Sequence, residues 1–268
     1  MTKRTTAWRK TLGVALGALV LLGIAATRAA VGADQVVDLE LVLAVDVSSS
    51  VDDGEFDLQM RGLAAAFRHP SVAAAIAQGG HRGIAVALVQ WAAGTEQLLG
   101  LDWTEVRGAA GAAVLARRIE VTPRLFVGGD TSLGGAITFA ARQFENNGYR
   151  GLRRVIDVSG DGGAGQGQEV AKSISSRGRD LALAQGITIN GLAILDEDPD
   201  LDVFYRNNVI GGAGAFVIAA ESYRDFAAAM IEKLIREIGD RPLAEADPVG
   251  RVSALKKGKR RVQAPLAK

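Results

Sequence analysis

The sequence predicts an α/β domain built on a doubly wound, mainly parallel six-stranded sheet with helices on both faces. Three observations carry that expectation. Apolar, strand-like runs alternate with amphipathic helical stretches from residue 34 onward, the order that gives parallel strands joined by crossover helices. The first run is almost wholly apolar from Leu41 to Val45, as a strand buried on both faces must be. Polar residues follow directly on apolar runs, at Asp46 and again at Asp161, and the carboxyl ends of such strands are where these sheets gather ligands.

Taken in order, the first strand runs over Val36–Val47, with its buried stretch ending at Asp46. Phe56, Met60, Leu63 and Phe67 recur at three- and four-residue intervals, one face of a helix over residues 52–67. A second buried strand is expected at Ile84–Trp91 and a weaker one near Glu96–Leu101, followed by helices over Glu105–Ile119 and Leu133–Phe144. The third central strand, Arg154–Ser159, enters a glycine-rich turn. A helix over Glu169–Gln185, a strand at Ile187–Leu195, a short strand at Phe216–Ala219 and a helix over Tyr223–Ile238 close the alternation. The result is six strands and about six helices, with no internal repeat.

At 268 residues the chain is one large domain or two small ones. Its 48% hydrophobic and 23% charged residues give the ordinary globular mix, which excludes a disordered or collagen-like chain. The net charge of +1 conceals a segregation: residues 1–33 hold five bases and no acid, residues 239–268 eight bases and three acids, and the middle 18 bases against 27 acids. A domain of that sign repels nucleic acid, so none is expected as a partner. At the N-terminus, Lys3, Arg4, Arg9 and Lys10 precede an uncharged run from Leu12 to Ala26 and small residues ending in Val31-Gly32-Ala33, the layout of a secretory signal peptide. That run of about fifteen residues is shorter than the roughly twenty that span a bilayer. Residues 1–33 are therefore expected to be cleaved, after Ala29 or Ala33, with an uncleaved signal anchor as the alternative. Either way the domain, residues 34–239, is expected to be periplasmic or secreted. Residues 240–268 contain Pro242, Pro248, Pro265 and the run Lys256-Lys257-Gly258-Lys259-Arg260-Arg261, a basic tail expected to be disordered. It is expected to serve solubility, with contact to a membrane surface or a cell-wall polymer as the alternative.

The absence of cysteine removes thiolate chemistry, disulfides and iron–sulfur clusters, and two histidines, His69 and His81, exclude a multi-histidine metal centre. Chemistry is left to oxygen. Three segments supply it: Asp46-Val47-Ser48-Ser49-Ser50, Gly128-Gly129-Asp130-Thr131-Ser132-Leu133-Gly134 and Ser159-Gly160-Asp161-Gly162-Gly163. Hard oxygen donors of this kind suit Mg²⁺, with Mn²⁺ or Ca²⁺ less favoured. The Asp-x-Ser-x-Ser run, then Thr131 with Gly134 and Ala136, then Asp161 after a later strand, resembles the metal-ion-dependent adhesion site of von Willebrand factor type A domains. More narrowly the chain is similar to a bacterial exported subgroup of unassigned function, over roughly residues 36–239. The resemblance implies that Asp46, Ser48, Ser50, Thr131 and Asp161 form the metal site, some directly and others through water. It also implies that a partner protein presents a Glu or Asp to the ion, and that Thr131 joins the ion when that carboxylate does. The sequence departs from the family in Ser159-Gly160-Asp161-Gly162, where Thr-Asp-Gly is commoner, and in Asp130, where glycine is commoner.

Each neighbouring signal has a plainer reading. Asp130 is expected to cap a helix begun at Thr131, and Asp52 and Asp53 to enrich a helix N-terminus rather than form a second cation site. Asp157 reads as a buried carboxylate bonded to a neighbouring loop. His69 before Pro70 is expected to end a helix, and His81 to lie in an exposed loop. The glycines from Gly160 to Gly167 lack the lysine and spacing of a phosphate-binding loop. Asp196–Asp200 reads as a solvated loop that lies on the ligand side. The functional expectation is a metal-dependent binding module and not an enzyme. The alternatives are a structural or assembly component with a degenerate site, or a hydrolase using Ser48, Ser50 or Asp46, for which no histidine stands near as a base.

Overall fold

The computed structural model describes residues 34–163 and 168–239. The signal peptide expected at residues 1–33, the tail at 240–268 and the end of the glycine cluster lie outside the described residues. Strand β1, Gln35–Asp46, is followed by helices α1, Asp53–Arg68, and α2, Pro70–Ala77. Strands β2, Ile84–Trp91, and β3, Gln97–Val106, lead to helices α3, Gly108–Glu120, and α4, Leu133–Arg142. Then come β4, Tyr149–Gly160, α5, Gln168–Ala184, and β5, Thr188–Ile194. The last elements are α6, Leu201–Asn208, β6, Val217–Ala220, and α7, Phe226–Gly239. The six strands form one sheet in the order β3-β2-β1-β4-β5-β6, parallel except for β3, which pairs antiparallel with β2. The mainly parallel, doubly wound sheet expected from the sequence is the sheet observed.

Side-chain alternation along β1 builds the two faces. Leu39, Leu41, Leu43 and Val45 join the core under α1, α2, α3 and α7, whereas Val42 and Ala44 join the core under α4, α5 and α6. Both faces are covered, which is why β2 is buried at every position. Helix α1 starts cleanly because Asp52 and Glu55 form a reciprocal capping box. It then approaches α7 at Gly62, where a Cβ would stand 2.6 Å from Phe226 Cδ1. On the other face Gly134 of α4 lies against the Ile174 carbonyl of α5 with no room for a Cβ.

Several boundaries differ from expectation. β3 continues to Val106, because Ile84 pairs with Val106 at the far end of the β2–β3 hairpin, and α3 consequently begins at Gly108 rather than at residue 105. β4 begins at Tyr149, since residues 149–153 pair with the start of β1. Helix α2 was hidden by His69-Pro70: the proline ends α1 but also opens a new helix, with His69 Nδ1 accepting the Ser71 amide at 3.3 Å. Helix α6 follows the acidic run and has only eight residues. Asp157 is buried as expected, but its partner is Lys233 of α7 at 2.7 Å rather than a loop. Among the described residues no helix is long and apolar enough to cross a membrane.

Candidate metal centre

The strand order turns at β1, whose neighbours β2 and β4 are reached by connections running to opposite sides. A crevice opens outside the carboxyl ends of the strands at such a point, and Asp46 is the last residue of β1 while Asp161 directly follows β4. Thr131 stands two residues before α4, in the segment that crosses from the β3–α3 side.

All five side chains expected to form the site are brought together. Asp46 Oδ1 accepts the Ser48 amide at 2.8 Å, Ser48 Oγ lies 3.2 Å from Ser50 Oγ, and Ser50 Oγ donates to Asp161 Oδ1 at 2.7 Å. Thr131 Oγ1 donates to Ser48 Oγ at 3.2 Å, closing the third segment onto the first. Asp46, Ser48 and Asp161 are buried, and Ser50 and Thr131 are half-buried. Asp46 Oδ2 is buried with no hydrogen-bond partner. Burial chiefly, with the Asp161 charge adding to it, pushes the Asp46 carboxyl up to about 8, while the Ser48 bonds and Arg124 pull the other way.

Two glycines leave the space that this arrangement needs. A Cβ at Gly160 would sit 2.6 Å from Asp46 Oδ2, and one at Gly162 would sit 2.9 Å from Thr131 Cγ2 and 3.0 Å from Thr131 Oγ1. An orphaned carboxylate oxygen, a second carboxylate, three hydroxyls and a cradle clear of side chains fit a hard divalent cation. Among the described residues no group of three His, Cys, Asp or Glu gathers, so a cation held here would need the hydroxyls in its donor set.

Four residues that sequence reasoning passed over shape the site. Gln59, wholly buried on α1, donates to the Asp46 carbonyl at 3.0 Å; a polar residue on the apolar stripe of Phe56, Met60 and Leu63 was the available signal. Arg124 donates to the carbonyls of Val47, Ser48 and Val51, and nothing in its local sequence announces that. Tyr205 and Tyr223 are buried phenols near Asp46 and Asp161, held above their ordinary range by burial first and then by those charges. Tyr223 also lines a cavity of about 490 Å³ together with Asp52, Glu55, Asp196, Ser222 and Arg224, so the first residue of the acidic run borders that cavity.

Asp52 caps α1, and Asp53, in the first turn of that helix, pairs with Arg124 at 3.0 Å. Asp130 does not cap: the helix starts at Leu133, Ser132 Oγ accepts the Gly135 amide at 3.4 Å, and Asp130 is exposed. The His81 amide bonds to Asp38 Oδ1 at 2.9 Å, beside the start of β1. Asp38 lies roughly 26 Å from Asp46 along the strand at about 3.3 Å per residue. His69 follows the far end of α1. Neither imidazole stands near Ser48 or Ser50.

Comparison with known proteins gives the frame. The family described as "Protein of unknown function (DUF1194)" matches residues 36–242. No curated protein matches the sequence. Among solved structures, the conserved hypothetical protein BatB from Bacteroides thetaiotaomicron is similar at 15% identity and a TM-score of 0.50, over 75% of this chain and 98% of that one. The PilB minor pilin from Streptococcus sanguinis is similar at 12% identity and a TM-score of 0.59, over 81% of this chain and 64% of that one. The pilus adhesin SpaC from Lactobacillus rhamnosus GG is similar at 12% identity and a TM-score of 0.53, over 77% of this chain and 32% of that one. The chain thus spans less than two thirds of the pilin and of the adhesin. At these identities the likeness is one of fold, a von Willebrand factor type A-like fold.

Proposed function

We propose that this chain, which belongs to the DUF1194 family, is an exported binding module whose Asp46, Ser48, Ser50, Thr131 and Asp161 hold Mg²⁺, with Mn²⁺ or Ca²⁺ as substitutes. A Glu or Asp of a protein partner completes the coordination of that ion. The observation that carries this reading is Asp46 Oδ2, a buried carboxylate oxygen with no partner, at the point where the strand order turns and beside three hydroxyls and Asp161. Leaving such an oxygen unpaired costs free energy that a cation would repay. Export is supported by the layout of residues 1–33, and the fold it shares with a pilin and a pilus adhesin accords with work outside the cytoplasm.

A second reading has one observation in its favour. Ser48, Ser50, Thr131 and Asp161 already bond to one another, an arrangement that a structural component with a degenerate site would keep. Passing an envelope extract over the immobilised chain tests both. The binding module retains a partner in Mg²⁺ and releases it in EDTA; a structural component retains the same proteins in either buffer.

A further inference from the structure

We propose that Arg124 is the positioning residue of this centre: its guanidinium ties the turn bearing Ser48 and Ser50 to the segment bearing Thr131, and so sets the spacing of the metal-binding hydroxyls. The inference rests on the metal-centre reading above. Arg124 lies seven residues before Thr131, in the same connection between α3 and α4. Its Nη2 donates to the carbonyls of Val47 at 3.1 Å, Ser48 at 3.3 Å and Val51 at 2.7 Å. Nη1 pairs with Asp53 Oδ1 at 3.0 Å, and Nε donates to the Phe126 carbonyl of its own segment at 2.9 Å. The group lies 5.9 Å from the centroid of the Phe56 ring, and only 11% of the side chain is exposed.

The arginine is itself anchored to the central sheet. Gln90 of β2, wholly buried, donates to the Pro123 carbonyl at 2.8 Å and accepts the Leu125 amide at 2.8 Å, gripping the residues on either side of Arg124. Two further bonds cross between the segments above this root, from the Ser49 amide to the Gly129 carbonyl at 3.0 Å and from Thr131 to Ser48. Turning three carbonyls onto one guanidinium fixes the peptide planes of the 47–51 turn, and those planes fix where the Ser48 and Ser50 hydroxyls project. Arginine suits this because its donors form a rigid planar fork; the single ammonium of lysine on a flexible stem does not reproduce it.

Position and charge make different forecasts. If Arg124 acted only through its charge, Arg124→Lys, which keeps that charge, would bind Mg²⁺ as the wild type does. If it acts by position, Arg124→Gln and Arg124→Lys both loosen binding, although the second keeps the charge. The experiment uses the full chain, with Mg²⁺ titrated calorimetrically and amide hydrogen exchange followed in EDTA. Both variants are expected to bind Mg²⁺ at least tenfold more weakly and to exchange the Ser49 amide at least tenfold faster, with Leu43 and Val86 in the central strands protected as in the wild type. Should Arg124→Gln lose core protection, Arg124→Lys alone decides by the same readouts. Unchanged or tighter Mg²⁺ binding, wild-type affinity in Arg124→Lys, or unchanged Ser49 exchange would overturn the proposal. A wild-type chain that binds no metal overturns the metal-centre reading and the metal half of this one, while Ser49 exchange still decides whether Arg124 holds the two segments together.

Discussion

Asp46 is completely buried and has a carboxylate oxygen with no hydrogen-bond partner, and it lies beside three hydroxyls and a second carboxylate. Asn keeps the shape and removes the charge, so Asp46→Asn is expected to abolish Mg²⁺ binding while raising metal-free stability by roughly 1–3 kcal/mol, seen as a higher Tm in EDTA. Thr131 carries no formal charge and sits on a different segment from Asp46 and the serines. Thr131→Ala is expected to keep measurable Mg²⁺ binding by calorimetry yet lose the EDTA-released partner; equal loss of both would deny the threonine its separate part. Gly160→Ala drives a methyl to 2.6 Å from Asp46 Oδ2. It should weaken Mg²⁺ binding and lower Tm through overpacking worth about 1–3 kcal/mol. The five oxygen-bearing side chains were legible because each stands in a short motif at a strand end or helix start. Gln59 and Arg124 were not, because their roles arise only when α1 and the 121–132 segment fold over the end of β1.

Helix α7 is fastened to the sheet by charge as well as by its apolar face. Lys233, fully buried, contacts Asp157 of β4 and Glu237 one turn along α7, and Asn190 of β5 donates to Glu237 at 2.9 Å. One cation facing two carboxylates leaves an excess negative charge, and burial first, then Glu237, pushes Asp157 up to about 7 against the pull of Lys233. The folded chain therefore holds a proton between about pH 4 and pH 7 that the unfolded chain, with an ordinary carboxyl near 3.9, has released. Stability from this group is full below pH 4 and declines as pH rises through 7. Denaturant titrations in EDTA should show that decline to be smaller in Asp157→Asn; an unaltered pH profile would contradict it. Lys233→Met, which strands two buried carboxylates, is expected to cost about 3–5 kcal/mol. Long periodic elements were legible from the sequence, as β1, β2 and α1 show. The short α2 and α6 were not, since eight residues barely establish a period, and the reach of β3 depends on pairing across a hairpin that no local signal encodes.

At the scale of the molecule, the sheet order places Asp46 and Asp161 at the carboxyl ends of adjacent parallel strands, and the crossing between the two helical layers delivers Thr131 to the same end. That convergence was legible because strand-end polar residues in an alternating α/β chain have one place to meet. The cavity bordered by Asp196 and Arg224 was not, since it depends on how the α7 approach folds beside α1. A cation bound only by the folded state raises its stability by about 2.7 kcal/mol at a hundred times its Kd. Mg²⁺ should therefore raise Tm relative to EDTA in the wild type and leave Asp46→Asn unmoved. The most direct measurement is a calorimetric titration of Mg²⁺ into the full, EDTA-stripped chain beside Asp46→Ala of intact circular dichroism. One site per chain in the wild type and none in the variant is the expected result; no binding at millimolar Mg²⁺, or binding that survives Asp46→Ala, would contradict the metal centre itself.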